Sequence, residues 1–365
     1  MTLKTVTLDD IEAISLGAGI LGTGGGGNPY LGSLHLREII RRHGPARVID
    51  PFDLPDDAVV VMAGFIGAPT ASIEKIEQGE ELLTALRAFE AHLGRRATAV
   101  GIAEIGGANC FNPIVLAIQA GLPVVDCDAM GRAFPELPMS VFFFEAELPV
   151  TPLALVDAAG NRVVIPTTAG AQWAERLART LATRMGGTAG LIASQVPGKD
   201  IKTYGIHYTL SLARDLGGRV LRSGEDDIPG VIADTLQGRV IMRGKIADLE
   251  RRTTRGFARG ALTIEGFGSR DRLFIEFQNE FLIARLNGEV VITVPDLISI
   301  VTEDTGEPIS TEVLRYGMRV AVLGIPAAQG LKTPKALAVV GPRAFGYEVD
   351  FHPLPGGIIG QRPAI

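Results

Sequence analysis

The stretch Ala97–Asp128, "ATAVGIAEIGGANCFNPIVLAIQAGLPVVDCD", places one helical segment between two short apolar runs. The apolar runs Ala97–Ala103 and Leu122–Asp126 have the length and composition of buried strands, and Pro113–Ala120 predicts a short helix between them. A strand, a helix and a second strand in this order form the unit that makes two strands parallel. This stretch therefore predicts an α/β fold.

The sequence before this stretch repeats the same alternation. Buried strands are predicted at Ala46–Asp50 and Ala58–Phe65, and helices at Leu31–His43 and Ile73–His92. Ser140–Glu147 is expected to form one more strand. We therefore expect a Rossmann-like layered N-terminal domain with a mostly parallel sheet.

The pattern changes past Pro166. Many short β-like runs follow between Val240 and Val301, and Asn287-Gly288 lies between two of them as a hairpin signal. This part is expected to be a second α+β, β-rich domain. The predicted boundaries are residues 1–166, 167–353 and a Pro/Gly-rich tail over 354–365.

The composition restricts the class of partner. The chain is 46% hydrophobic and 21% charged, which is typical of a globular protein, and its net charge of -6 argues against a nucleic-acid partner. The N-terminus has no apolar segment of signal-peptide length, and no window has the roughly 18 apolar residues of a membrane span. We expect a cytoplasmic protein that acts on a small molecule and has no membrane partner.

A glycine-rich stretch, "LGTGGGGNPY" over Leu21–Tyr30, follows a G-x-G-x-x-G pattern at Gly17–Gly22. That pattern ends a helical segment and has no strand before it, so no nucleotide is expected. The glycines that follow can turn several N–H groups toward one ligand, and the next helix adds a positive dipole; a flexible connector is the alternative. The candidate ligand-binding residues of this loop are Gly24, Gly25, Gly26, Gly27 and Asn28.

Polar side chains follow two of the predicted strands. Glu104 and Asn109 come after one strand, and Asp126 and Asp128 end the next. Because the carboxyl ends of parallel strands meet at one edge, the three carboxylates are expected to converge. Such a cluster could hold one divalent metal ion or divide into an acid and a base. In the alternative interpretation the aspartates cap a turn and pair with Arg132.

A basic segment, Arg243–Gly260, lies in the second half, and a solvated face is its simplest interpretation. The alternative is a wall of arginines that binds a substrate carboxylate, with Arg252 as the candidate. For Cys110, Cys127 and His207 a structural role is favoured over a catalytic one. The cations of the segment are Arg243, Lys245, Arg251, Arg252, Arg255 and Arg259.

Three blocks of the chain resemble a bacterial and archaeal family, the S-methyl-thiohydantoin desulfurase-like proteins. The blocks are "GTGGGGNPYLG", "EIGGANCFNPIVLAIQAGLPVVDCDAMGRAFPELPM" and "RGKIADLERRTTRGFARG". The resemblance extends from the first helix to about Pro353 and includes features of the hydantoinase/oxoprolinase group. Cys127 departs from the pattern, since an alanine is expected there in relatives.

The resemblance implies a hydrolase that attacks the sulfur-bearing ring carbon of a thiohydantoin or hydantoin-type cyclic amide and releases sulfide or a thiol. On that basis Glu104, Asp126 and Asp128 would be the base or the metal ligands. The Gly24–Gly27 amides and Asn109 would hold the ring or the developing anion, and Arg132 a substrate carboxylate. A homo-oligomer is expected. The alternative function is a non-catalytic partner subunit of a hydantoinase/oxoprolinase-type enzyme.

Overall fold

The first layer of the fold is a sheet with a parallel centre. The computed structural model describes residues 2–67, 71, 77–224, 226–254 and 257–363, so residues 73–76 of the predicted helix Ile73–His92 and Arg255 of the basic segment lie outside the described residues. The described strands of this sheet are β1 Thr5–Val6, β2 Ala46–Ile49, β3 Val59–Gly67, β4 Ala99–Ile102, β5 Val124–Asp128, β6 Leu153–Val156, β7 Arg162–Ile165, β8 Thr188–Pro197 and β9 Ile206–His207.

The strand order in this sheet is β1-β2-β5-β4-β3-β8-β6-β7, and β9 pairs with β5. Strands β2, β5, β4 and β3 pair in parallel. The strands outside this centre join antiparallel, β1 on β2 at one side and β8, β6 and β7 at the other. The alternation of strands and helices in the sequence therefore predicted the parallel centre correctly, and the α/β class is confirmed.

Helices cover the sheet and fill the space around it. The helix Phe111–Ala120 packs on the centre of the sheet, and its aliphatic run from Ile114 to Ala117 is almost completely buried. In the described part of the chain no helix is both long and apolar enough to cross a membrane. The described helices are α1 Ile11–Leu21, α2 Pro29–His43, α3 Glu81–Leu93, α4 Phe111–Ala120, α5 Val141–Phe144, α6 Ala171–Arg184, α7 Gly198–Tyr204, α8 Thr209–Arg222, α9 Ile228–Thr235 and α10 Pro334–Val340.

The G-x-G-x-x-G segment lies at the end of helix α1, in the helical context that the sequence predicts. Its first glycine serves helix packing, because a Cβ at Gly17 would lie 2.0 Å from the Ala213 carbonyl oxygen of α8. Gly217 of α8 is in the reciprocal position, where a Cβ would lie 1.9 Å from the Ala13 carbonyl oxygen. Helices α1 and α8 therefore pack with their backbones in contact, which only glycine permits.

The second layer is an antiparallel sheet that curls into a half-barrel. Its order is β14-β13-β12-β11-β10-β16-β15. The predicted hairpin turn is confirmed, since Asn287 and Gly288 connect β13 to β14 with φ of 52° and 92°. The β-rich character of the second half is likewise confirmed. The strands are β10 Arg239–Thr254, β11 Phe257–Gly266, β12 Arg272–Gln278, β13 Glu280–Leu286, β14 Glu289–Thr293, β15 Leu297–Thr302 and β16 Arg319–Ile325.

The first sheet does not end where the predicted N-terminal domain ends. Strand β8 begins at Thr188, beyond residue 166, and pairs with both β3 and β6 of the first sheet. The predicted boundary at residue 166 stays a prediction about the sequence segments. In space, the first layer includes a strand from each side of it.

The segment predicted as a strand at Ser140–Glu147 is instead a helical turn, α5. The Ser140 hydroxyl accepts a hydrogen bond from the Phe142 N–H at 3.2 Å and so caps the turn. The aromatic run that favoured a strand is packed into the core in this form, with Phe142 fully buried. A capping serine and tertiary packing together outweigh the β-propensity of the run.

Candidate functional site

A cavity of about 540 Å³ opens at the carboxyl ends of β3, β4 and β5. The end of β3 lines one wall, Ala103 and Glu104 follow β4 into it, and Ala129 and Met130 follow β5. Ligands bind at this edge in parallel α/β sheets because the loops that leave neighbouring strands diverge there. The cavity therefore lies where the order of strands and helices in the sequence predicts a site.

The glycine loop forms another wall of the cavity through Gly26, Gly27 and Asn28. The Gly26 carbonyl accepts from the Asn109 N–H at 3.0 Å, and the Gly27 carbonyl from the Ala108 N–H at 3.2 Å. In the described part of the chain no acceptor bonds the N–H of Gly26 or Gly27. The loop is thus fixed by its carbonyls, and the N–H groups of two residues that line the cavity are not used inside the described protein.

The other two glycines of the run are not among the described residues that line the cavity. The Gly24 carbonyl accepts from the Thr311 N–H at 2.9 Å, and a Cβ at Gly24 would lie 2.5 Å from the Phe281 ring. A Cβ at Gly25 would lie 2.1 Å from Glu280 Oε1. These two residues join the loop to the second half of the chain, so the four glycines divide between ligand contact and packing.

Glu104 is the predicted carboxylate that the structure places in the cavity. Its Oε1 accepts from Asn109 Nδ2 at 2.6 Å, and its Oε2 accepts from the Phe134 N–H at 3.1 Å. Burial raises the pKa of Glu104 to about 7, and these two hydrogen bonds oppose the rise. A carboxyl group with a pKa near neutrality can take up and release a proton at physiological pH.

Asn109 lines the cavity but has both ends of its amide engaged. Its Oδ1 accepts from the Phe65 N–H at 2.9 Å, while its Nδ2 donates to Glu104. The sequence predicted a direct donor to the substrate. The structure instead shows an amide that holds the Glu104 carboxylate in place.

Asp126 is not among the described residues that line the cavity. Its Oδ1 accepts from the Leu210 and Ser211 N–H groups, both at 3.1 Å, and its Oδ2 accepts from the Ser211 hydroxyl. These amides belong to the first turn of α8, so Asp126 caps that helix. The predicted convergence of three carboxylates is therefore not what the structure shows.

Asp128 is fully buried and also is not among the described cavity residues. Its Oδ2 accepts from the N–H groups of Gly131 at 2.8 Å and Ile105 at 3.0 Å. The second of these bonds fixes the loop that begins with Glu104. The role that the contacts define for Asp128 is to shape the loops after β4 and β5.

These contacts also bear on the expected divalent metal. The predicted ligands were Glu104, Asp126 and Asp128, but N–H and O–H donors occupy oxygens of all three carboxylates. No group of three or more Asp, Glu, His or Cys side chains within the described residues is arranged to hold a metal ion. The described residues therefore do not fit the predicted metal site.

Arg132 was expected to bind a substrate carboxylate, but all of its N–H donors are used inside the protein. Five hydrogen bonds run from its guanidinium and Nε to Ala133, Pro295, Asp296, Phe281 and the Thr23 hydroxyl, at 2.8–3.2 Å. The side chain is completely buried. It joins the loop after β5 to the second sheet and has no donor left for a ligand.

The remaining sequence candidates lie away from the described cavity lining. Arg252 is exposed and pairs at 2.8 Å with a neighbouring glutamate on β10, as expected for a solvated face. Cys110 and Cys127 are buried, and burial raises the pKa of both thiols, so neither is an activated nucleophile. The His207 ring contacts Phe52, with ring centroids 4.9 Å apart.

The second half of the chain contributes a residue that the sequence did not single out, Glu280. It is buried, lines the cavity, and its Oε2 has no hydrogen-bond partner among the described residues. Burial, and next the charge of Glu104, raise its pKa well above the ordinary value, while Arg132 opposes the rise. Glu280 follows Asn279, a non-glycine residue with φ of 59°.

That turn is held by several bonds. The Ala258 N–H donates to Asn279 Oδ1 at 2.8 Å, and the Thr311 hydroxyl donates to the Asn279 carbonyl at 2.7 Å. The only local signal in the sequence is the polar triplet Gln278-Asn279-Glu280 inside an otherwise apolar run. Its approach to Glu104 depends on how the two sheets pack, which the sequence pattern does not reveal.

The rest of the cavity wall is mainly apolar, with a few further charged groups. Arg179 donates to the Pro135 carbonyl at 2.8 Å, and its guanidinium lies 4.2 Å from the centroid of the Phe257 ring. Burial raises the pKa of Glu77 to about 7 and lowers that of His35. An apolar enclosure with a few directed polar groups suits a small, largely uncharged ring.

The fold is a mixed α/β architecture of two sheets, and residues from both halves of the chain line its cavity. Family models match almost the whole chain: the N-terminal domain of the S-Me-THD-like family matches residues 9–167, and its C-terminal domain matches residues 169–354. The chain belongs to this S-methyl-thiohydantoin desulfurase-like family, as its sequence blocks indicated.

A solved structure has the same fold. The crystal structure of a protein from Chromobacterium violaceum superposes with a TM-score of 0.82 at 24% sequence identity. The match covers 96% of this chain and 100% of that one. No curated protein matches the chain significantly.

Proposed function

We propose that the protein is a hydrolase that removes sulfur from the ring carbon of a thiohydantoin-type cyclic amide. The observation that carries the proposal is the buried Glu104 carboxyl, with a pKa of about 7, inside an apolar cavity at the carboxyl ends of the parallel strands. Membership of the S-Me-THD-like family supports this class of substrate.

The reaction needs a group that activates water. In an S-alkylated thiohydantoin, the ring carbon between two nitrogens carries the sulfur, and replacing sulfur by oxygen consumes one water and releases a thiol. Glu104, held by Asn109 and the Phe134 N–H, takes a proton from the attacking water. Its hydrogen bonds fix the carboxylate before the substrate arrives, so no reorganisation is needed at the moment of attack.

The glycine loop supplies the second requirement, which is stabilisation of negative charge. Gly26 and Gly27 line the cavity next to the N-terminus of α2, and their N–H groups are the donors that this proposal assigns. Amide donors at such a position bind an oxygen or nitrogen on which charge develops during attack. Thus the role predicted for four glycines is retained for the two that reach the cavity.

The test is turnover by the purified chain alone with an S-methyl-thiohydantoin, followed by thiol release and by the change in ring absorbance. We expect kcat/KM to rise with pH through about 7, because Glu104 acts in its deprotonated form. The variant Glu104→Gln should lower kcat about 10²–10⁴-fold, the range typical of a lost general base.

The matched control is Glu90→Gln. Glu90 is another buried glutamate that accepts one backbone N–H, from Ala97, and one side-chain N–H, from Arg96. It is not among the described residues of the cavity, so this variant should keep wild-type turnover. Absence of thiol release by the wild-type chain alone would favour the partner-subunit alternative. Full activity of a folded Glu104→Gln variant would remove Glu104 from the mechanism.

A further inference from the structure

Among the carboxyl groups that line the cavity, Glu280 has a position that the fold alone does not explain. The oxygens of Glu104 are bonded to N–H donors, whereas Glu280 Oε2 is buried without a hydrogen-bond partner among the described residues. A buried polar atom left in this state destabilises the fold by about 1–3 kcal/mol. Glu280 lines the cavity, so its buried, unpartnered oxygen points to a partner that arrives with the ligand.

Burial and the charge of Glu104 favour the neutral form of Glu280. Glu104 lines the same cavity and disfavours a second negative charge, while Arg132 and Arg179 favour one. Burial is the largest influence and raises the pKa of Glu280 well above its usual range. The N–H groups of Arg132 donate to other acceptors, so Arg132 does not hydrogen-bond the Glu280 carboxylate. A neutral carboxyl group carries an O–H that it can donate.

Two contacts fix the position of the Glu280 side chain and of the strand that carries it. The glycine loop passes so close that a Cβ at Gly25 would be 2.1 Å from Glu280 Oε1. On its other side, the Phe281 N–H donates to the Thr23 carbonyl at 2.8 Å, which ties the start of β13 to the glycine loop. Glycine at position 25 is required because the carboxyl group occupies the space of a side chain. The amide donors of the loop and the Glu280 carboxyl group are thereby held in one rigid unit.

We infer that Glu280 is the proton donor of the reaction and that it acts on the ring nitrogen next to the sulfur-bearing carbon. This inference rests on the proposed function. A pair of carboxyl groups in unequal environments can divide into a base and an acid. Here Glu104 is the base, and the second half of the chain contributes the acid.

The proton transfers balance as follows. Water attacks the ring carbon, the electron pair of its C=N bond moves to nitrogen, Glu104 takes a proton from the water, and Glu280 protonates the nitrogen. The O–H bond of the new hydroxyl then supplies the pair that forms C=O, and its proton returns to Glu280. The C–S bond breaks, and Glu104 gives its proton to the departing sulfur. The products are the oxo ring and a free thiol, and both carboxyl groups are restored.

The experiment is the pH profile of thiol release by the wild type and by Glu280→Gln, between pH 5 and 10 in one buffer series. The wild type should show a rising limb from Glu104 and a falling limb from deprotonation of Glu280. Glutamine can hydrogen-bond but cannot transfer a proton, so kcat should fall about 10²–10³-fold and the falling limb should disappear. The KM should change much less.

The matched control is Glu312→Gln, a buried glutamate of the same half that is not among the described cavity residues. It should keep both limbs and the wild-type rate. Wild-type turnover together with an unchanged profile in a folded Glu280→Gln variant would overturn this inference and leave the proposed function standing. A wild type without turnover would instead refute the proposed function.

If Glu280→Gln does not fold, Glu280→Asp tests whether Glu280 is the proton donor. Aspartate keeps the acid but withdraws it by one methylene, so we expect a retained falling limb with a kcat lowered about tenfold or more, because small displacements of a reacting group are costly. A rate equal to that of the wild type would contradict the placement of the acid.

Discussion

At the scale of single residues, the site depends on how each polar group is already engaged within the protein. Asp126 and Asp128 were natural catalytic candidates, but backbone N–H groups of α8 bond Asp126 Oδ1, and those of the loop after β5 bond Asp128 Oδ2. Glu104 is held differently, by one backbone N–H and one side-chain amide at the cavity. Burial raises the pKa of Glu104, and the Asn109 amide is the group that opposes this rise most strongly.

The variant Asn109→Ala tests this control. The Asn109 hydrogen bond stabilises the charged form of Glu104, so its loss should raise the pKa of Glu104 further. The rising limb of kcat/KM for thiol release should move to higher pH. A bond worth about 1.4 kcal/mol to the charged form would raise the pKa by about one unit and cost about fivefold in rate at pH 7, with recovery at higher pH.

The control for this prediction is Asn161→Ala, since Asn161 Nδ2 also donates to a carboxylate, Asp157, at 2.9 Å. This pair lies in the turn between β6 and β7, and the variant should leave the pH profile unchanged. A rising limb that stays at the wild-type pH in a folded Asn109→Ala variant would show that Asn109 only supports the loop.

The strand-end position of Glu104 was predictable from sequence because it needs only a short apolar run followed by a polar residue. The hairpin at Asn287-Gly288 was predictable for a similar reason, since its positive φ values are a local preference of those residue types. Glu280 was not predictable, because its approach to the cavity depends on the packing of two sheets. The internal use of Arg132 depends on the same long-range contacts.

At the scale of elements, glycines decide which helices can touch. Helix α8 carries Gly217 and Gly218 side by side, and they meet different surroundings. A Cβ at Gly217 would lie 1.9 Å from a backbone oxygen of α1, whereas one at Gly218 meets only the flexible end of the Arg222 side chain, at 3.0 Å. Alanine substitutions at these two adjacent positions therefore test helix packing and helix propensity separately.

We expect Gly217→Ala to lower the free energy of unfolding by about 2–4 kcal/mol, since the backbones of α1 and α8 must move apart and the core is overpacked. The control Gly218→Ala should be neutral or should stabilise by up to about 1 kcal/mol, because alanine has the higher helix propensity. Urea unfolding of both variants measures the difference. Equal effects in the two variants would contradict the backbone contact.

At the scale of the whole molecule, the two halves share both a sheet and a site. Strand β8 from the second half pairs with β3, and Glu280 from the second half faces Glu104. Arg132 belongs to the same junction, because its donors reach carbonyls of Phe281, Pro295 and Asp296. The cavity thus exists only where the two halves are assembled. The hydrogen bonds of Arg132 help to hold the halves together.

The variant Arg132→Lys should therefore lower the free energy of unfolding by about 3–5 kcal/mol. An ammonium has three donors on a flexible stem and cannot reproduce five bonds in fixed directions, so buried carbonyls of the second sheet lose their partners. Arg252→Lys is the control, since this exposed arginine is paired only at the surface and should change stability by less than about 0.5 kcal/mol. Denaturant unfolding compares the two variants. If Arg132 bound the substrate instead, the lysine variant would unfold like the wild type and show only a raised KM, and that outcome would restore the role predicted from the sequence.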